Sequence, residues 1–303
     1  MSPKFVGYRL AQWLSTRLPR SAAMTVAERL ADVQWRCSAA DRAAVRSNLR
    51  LVLGTTPPDG APMVREVFRN FGRYLVDFFL SHRGDSFEIH VDGGDHLAFA
   101  KRPGHGVIVL TAHLGNWELG AVQIRRMDAP MSVVALPHDD PDLDRMFNRQ
   151  RQRCGLAVIP LGASAARRSL QHLRAGGCLG ILGDREFSGR GVAGRFGGVP
   201  VVFPRGPAVM SLRSRAPILP TFMIREGMGK FRFYLEPPIY PAHDAAPERA
   251  IERLTAAYAS VIERYAKRFP EQWLVFQPLA ARPGAGGRAG AGSGGAGSDG
   301  TIR

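Results

Sequence analysis

Residues 111–120 read TAHLGNWELG and hold a histidine and a glutamate five positions apart. A neutral imidazole can take a proton from an alcohol. A carboxylate on its other ring nitrogen fixes the tautomer and stabilises the imidazolium that forms. His113 and Glu118 therefore read as a base and its orienter, with no nucleophile of their own. Such a pair suits a reaction in which the substrate's hydroxyl attacks, for example acyl transfer from a thioester. The alternative is a His113 satisfied by a backbone carbonyl and a solvated Glu118. Spacing constrains the first reading. Five residues advance an ideal helix by about 500°, which leaves the two side chains roughly 140° apart. They can meet only if His113 lies on a turn before the helix and Glu118 in its first turns. Gly115 permits a tight turn there. The apolar run at 107–110 supplies a strand before it, and ligands of open α/β sheets sit beyond the carboxyl ends of strands.

Other residues are candidates for binding. Asp184 follows the apolar run CLGIL and can reach the edge of the same site, or else caps a helix or loop. Arg149, Arg151 and Arg153 in FNRQRQRCG, and Arg185 beside Asp184, are natural partners for phosphate, or else surface cations. Asn116 and Trp117 read as framework, with Asn116 the better suited of the two to touch substrate. The cluster PHDDPDLDR lacks the glycine and final glutamate of a calcium loop, so it reads as a helix start. Ser164 in GASAA lacks the last glycine of a nucleophile elbow. The glycines of GDREFSGRGVAG do not follow a nucleotide-binding pattern. Cys37, Cys154 and Cys178 have no metal or thioredoxin spacing and read as small buried hydrophobes. No metal and no cofactor are expected.

The elements that must hold these residues change character along the chain. Residues 1–82 read as helices. Val64, Phe68, Phe71, Leu75 and Phe78 form one apolar stripe at helical spacing. Arg65, Arg69 and Arg73 run beside it, as a solvated face or a lipid-headgroup surface. From about 87, short β-rich runs appear: FEIHV, VIVL, MSVVAL, LAVIPL, CLGIL, VPVVF, ILPTFM and FRFYL. Helix-like stretches lie between several of them, at 114–126, 142–154, 163–175 and 205–215. This alternation predicts an α/β core over 83–282 with a mostly parallel sheet flanked by helices, continuous with the helical part before it. A last helix is expected around 247–268, then a docked segment, EQWLVFQP. The Gly/Ala/Ser-rich stretch 283–303 cannot bury a core and is expected to be disordered.

The chain has 303 residues and a formal charge of +15, which points to polyanionic partners. No apolar run nears the roughly 18 residues that span a bilayer. The first twenty residues lack a signal-peptide profile. Phe5, Tyr8, Leu10, Trp13, Leu14 and Leu18 give them an apolar face, and Lys4, Arg9, Arg17 and Arg20 a cationic one. That pattern fits an interfacial helix on an anionic lipid surface. A basic nucleic-acid-binding protein is the alternative from another class. The cations are spread along the chain, with no zinc-finger or RNP-like pattern, so no nucleic-acid partner is expected.

HLGNWE resembles the His-x4-Asp/Glu motif of the lysophospholipid acyltransferase superfamily. The closer resemblance is to its lipid A biosynthesis branch, the lauroyl/myristoyl transferases, which includes phosphatidylinositol mannoside acyltransferases. REVFRNFGRYLVDFF resembles that family's helix before the motif. The block from LGDREFSGRG to APILPTFM resembles its Asp-x-Asp, Phe-Gly, Pro-x-Gly-Pro-Ala and Ala-Pro-x-x-Pro series. PEQWLVFQP resembles its C-terminal signature. Together they cover roughly residues 1–280. The resemblance implies a glycerolphosphate-acyltransferase-like fold with a membrane-associating N-terminal region. It implies transfer of a fatty-acyl chain from acyl carrier protein or coenzyme A to a lipid hydroxyl. The acceptor would be a glycolipid of lipid A precursor type, or else a phosphatidylinositol mannoside or lysophospholipid. The place of work would be the cytoplasmic face of the inner membrane. His113 would be the base, Glu118 its orienter and Arg151 a binder, since the family carries arginine there. One departure is visible: Asp184-Arg185-Glu186 stands where many members have Asp-x-Asp.

Overall fold

The computed structural model describes residues 3–83, 87–127, 129–242 and 246–279. The stretch 283–303, expected to be disordered, lies outside the described residues. Four helices come first: α1 Pro3–Arg17, α2 Arg20–Cys37, α3 Ala39–Leu53 and α4 Pro62–Leu80. Then follow β1 Glu88–Asp92, α5 Gly94–Lys101, β2 Val107–Thr111, α6 Trp117–Arg126, β3 Met131–Ala135, α7 Pro141–Arg153, β4 Ala157–Pro160, α8 Ala165–Arg174 and β5 Cys178–Leu182. The chain continues with β6 Val192–Phe196, β7 Val199–Phe203, α9 Gly206–Ser214, β8 Ile218–Gly227, β9 Lys230–Leu235 and α10 Pro247–Arg268, and a 3-10 turn at Pro270–Gln272.

Seven strands form one sheet in the order β1-β9-β8-β2-β5-β3-β4. Strands β8, β2, β5, β3 and β4 run parallel. β9 turns back antiparallel on β8, and β1 lies parallel to β9. The expected α/β architecture with a mostly parallel sheet is present. β2 sits in the middle, and its residues 107–110 are all but fully buried. That explains their continuous apolar character, since both faces are covered. Two elements were not anticipated. β6, VAGRF, pairs among the described residues only with β7, in a separate hairpin, and its Gly194 and Arg195 hide the strand pattern. α5 is a single short crossover helix.

Helices α1–α4 share one core with the sheet: Val45, Leu49, Val64 and Phe68 pack in the same cluster as Ile108, Leu110 and Phe222. The arginine stripe of α4 is neither a solvated face nor a lipid surface. Asp32 of α2 is buried and accepts from Arg65 Nε at 2.7 Å and Arg69 Nε at 2.8 Å. Arg73 Nε donates to Glu28 at 2.7 Å. The stripe clasps α4 to α2. The apolar face expected on α1 is split: Phe5, Tyr8 and Leu18 pack inward, while Leu10 and Trp13 are exposed with Val6. Cys178 is buried as expected, but Cys37 is exposed.

Candidate active site

The site forms where β2 and β5 end side by side. The two strands pair in parallel register, with Thr111 opposite Leu182. Two residues further along each strand stand His113 and Asp184. His113 Nδ1 donates to Asp184 Oδ1 at 2.9 Å, and the His113 backbone N–H donates to Oδ2 at 2.9 Å. The Asp184 side chain is fully buried, while that of His113 is 15% exposed. Burial pushes the Asp184 carboxyl up, but the neighbouring His113 and the hydrogen bonds outweigh it and hold it below the usual range. Nε2 of His113 has no hydrogen bond or ion pair among the described residues and is the nitrogen left for a ligand.

A third donor reaches the same carboxylate. Trp273 Nε1–H donates to Asp184 Oδ2 at 3.1 Å, and its ring stacks on Phe196 of β6 with centroids 5.0 Å apart. The segment carrying Trp273 also grips the histidine loop. Leu274 N–H donates to the His113 carbonyl at 2.6 Å, and Gly115 N–H donates to the Gln272 carbonyl at 2.9 Å. The side-chain amide of Gln272 pairs with both the N–H and the carbonyl of Arg225 in β8, each at 3.0 Å. Gly115 is obligatory in this turn. Its φ is +66°, and a Cβ there would lie 2.0 Å from the Met223 carbonyl oxygen.

His113 does precede α6 and Glu118 does lie in its first turn, yet they do not pair. Glu118 faces α7, where Arg151 Nη2 donates to it at 2.6 Å and Nε at 3.0 Å. Both partners are largely buried. The expectation that Glu118 orients His113 is thus corrected. The strand register delivers Asp184 to the imidazole, and the helix start aims Glu118 away from it. Arg151 is likewise no free phosphate ligand. Its guanidinium is held by Glu118 and by Asn148 Oδ1 at 3.0 Å. Trp117 packs beside the histidine. Its ring meets His113 edge-on at 5.2 Å and stacks on Tyr74 at 4.2 Å.

The remaining candidates fall as follows. Asn116 is buried and caps α6, its Oδ1 accepting from Leu119 N–H at 3.0 Å. Its Nδ2 has no partner among the described residues. Arg185 lies over the Phe187 ring at 4.6 Å and donates to Gln277. Glu186 accepts from the Ser188 hydroxyl at 2.5 Å, so it caps the next turn. Asp140 starts α7, accepting from Asp142 N–H at 2.9 Å. Among the described residues, no group of three or more histidine, cysteine or acidic side chains could hold a metal ion. Trp273 is the site residue that sequence reasoning missed. The signature PEQWLVFQP marked its segment as docked, but nothing in it named Asp184 as the partner.

Residues 7–280 match the bacterial lipid A biosynthesis acyltransferases. The phosphatidylinositol mannoside acyltransferase of Mycobacterium tuberculosis (strain ATCC 25618 / H37Rv) is 28% identical over 248 residues, which cover 77% of this chain and 75% of that one. The protein of the same name from Mycolicibacterium smegmatis is 26% identical over 242 residues, 77% and 78% of the two chains. The lipid A biosynthesis palmitoleoyltransferase of Escherichia coli (strain K12) is 25% identical over 283 residues, 89% of each. With the match running over almost the whole described chain, this protein belongs to the bacterial lipid A biosynthesis acyltransferase family and is a lipid acyltransferase.

Proposed function

We propose that the enzyme moves a fatty-acyl chain from a thioester, on acyl carrier protein or coenzyme A, to a hydroxyl of a glycolipid, with His113 as general base and Asp184 as its orienter. The observation that carries this reading is the bond from His113 Nδ1 to a fully buried carboxylate. It fixes the tautomer that leaves a lone pair on Nε2. Nε2 takes the hydroxyl proton as the oxygen attacks the thioester carbonyl. The C–O bond forms, the C–S bond breaks, and the departing thiolate takes the proton back from Nε2. Asp184 balances the imidazolium meanwhile. Glu118 and Arg151 hold α6 to α7 and so fix the start of α6, next to His113.

His113→Ala is expected to cut acyl transfer from a radiolabelled donor by about a hundredfold to ten-thousandfold, with folding unchanged by circular dichroism. Near-wild-type turnover would overturn the assignment.

The acceptor is read as a glycolipid of lipid A precursor type. A phosphatidylinositol mannoside is the second reading, favoured by the higher identity of 28% to the mycobacterial enzyme against 25% to that of Escherichia coli. Mass spectrometry of the lipids of a deletion strain separates the two by the species that loses one acyl chain. The enzyme is further proposed to work at the cytoplasmic face of the inner membrane, lying on anionic lipid through α1 and α2. Val6, Leu10, Trp13, Leu30 and Val33 are exposed there. Among the described residues, no helix is long and apolar enough to cross a membrane. Salt-dependent sedimentation with vesicles, set against DNA retention, tests this: tight DNA binding without lipid affinity would refute it.

A further inference from the structure

The cleft between α1, α2 and α4 stands apart from the His113 site in its chemistry. It has a volume of about 120 Å³. Ala11 and Leu14 of α1, Val26 and Ala27 of α2, and Phe71 and Leu75 of α4 line its walls. The close approach of two helices shapes it: a Cβ on Gly72 would lie 2.9 Å from the Ala27 carbonyl oxygen. The polar side chains of its lining, Ser15 and Gln34, already have hydrogen bonds elsewhere. Ser15 donates to the Ala11 carbonyl at 2.7 Å and Gln34 to Asp41 at 3.2 Å. The cleft therefore offers an entering group mainly apolar contact. An apolar cleft of this kind favours an apolar guest.

The surroundings of the mouth identify the guest. Leu30, on the rim, is 55% exposed and Trp13 is 56% exposed. On α1 the exposed residues Val6, Leu10, Trp13 and Arg17 follow one another at spacings of four, three and four. On α2 the exposed Arg29, Val33 and Arg36 follow at four and three, beside Leu30. The α1 stripe is apolar with arginine at one end, and on α2 Leu30 and Val33 lie between two arginines. That is the pattern of a surface resting among anionic headgroups, with its apolar residues below them. A cleft opening between two such stripes opens toward acyl tails.

We propose that this cleft takes the tail of one anionic bilayer phospholipid, which anchors the α1–α2 hairpin in the membrane. This rests on the membrane placement proposed above and deepens it from adsorption to insertion of one tail. Neither His113 nor Asp184 lines the cleft, so the reacting atoms lie outside it.

The test uses the full chain and vesicles of equal parts phosphatidylcholine and phosphatidylglycerol, the latter carrying a diazirine near the tail end. After irradiation and digestion, mass spectrometry maps the adducts. The expected adducts lie on the walls, at Val26, Ala27, Phe71 or Leu75. Ala27→Leu and Ala11→Leu each fill the cleft from opposite sides and leave the exposed stripes intact. Both are expected to lose the wall adducts and still sediment with vesicles. Adducts confined to Val6, Leu10 and Trp13, or wall adducts that survive both substitutions, would overturn the cleft assignment alone. Chain that does not sediment with these vesicles at all would overturn the membrane placement as well. Wall labelling by a diazirine fatty acid in solution, with none from vesicles, would overturn the assignment to a bilayer lipid. The wild-type adduct map decides the matter even if a filled variant fails to fold.

Discussion

At the scale of single residues, the two carboxylates near the histidine loop do different work, and substitution separates them. Asp184→Asn keeps the shape but presents an amide to Nδ1, which favours the wrong tautomer. By analogy with other base–carboxylate pairs, kcat falls by up to about ten-thousandfold with little change in melting temperature. Glu118→Ala instead strands the buried Arg151 guanidinium. Breaking such a pair costs about 3–5 kcal/mol, so its main readout is a lower melting temperature. A catalytic collapse from Glu118→Ala at unchanged stability would reverse these assignments. Trp273→Phe keeps the stack on Phe196 but removes one of three donors to Asp184. Without it the Asp184 carboxyl loses one of the bonds that hold it below its usual range, and the group that orients the imidazole is held less firmly. kcat is expected to fall by up to about tenfold at unchanged KM. A kcat equal to that of wild type would reduce Trp273 to packing. Sequence made His113 legible through its place after an apolar strand. It could not show that Asp184 meets it. That contact depends on the register of β2 against β5, between residues 71 positions apart.

At the scale of elements, the strand runs and the long amphipathic helices were legible, because burial on two faces or on one stripe leaves its period in the sequence. β6 was not, since a hairpin on the outside of the sheet needs no continuous apolar run. The α4 arginines were misread for a related reason: periodicity finds a charged stripe but not the partner opposite. Asp32 is that partner. Its hydrogen bonds to Arg65 and Arg69 hold its carboxyl far below the usual range. A carboxyl depressed on folding stabilises fully above its unfolded value, about 3.9, and loses this as pH falls toward the folded value. Asp32→Asn should therefore lower the melting temperature near neutrality, and the gap to wild type should close progressively as pH drops from 5 to about 2. A gap constant with pH would mean that the clasp acts by shape alone.

At the scale of the whole molecule, the charge of +15 told of a polyanion but not of where it is met. The fold sorts the cations. Arg65, Arg69, Arg73 and Arg151 are spent inside ion pairs, while Arg9, Arg17, Arg29 and Arg36 remain exposed around the outward stripes of α1 and α2. Two forces should therefore hold the enzyme on a membrane, and they respond differently to salt. Headgroup attraction fades as the screening length shrinks from about 10 Å at 0.1 M salt to about 3 Å at 1 M. Burial of Leu10, Trp13, Leu30 and Val33 does not. Each is already half covered, so serine there forgoes roughly 1 kcal/mol of further burial. Replacing all four should weaken partitioning by about two to three orders of magnitude at any salt concentration. Replacing the four arginines with glutamine should leave binding at 1 M salt unchanged and abolish most of its salt dependence. Sedimentation with phosphatidylglycerol vesicles across a salt series reads both. If the serine variant partitioned as wild type does, the membrane would have to meet another face of the protein.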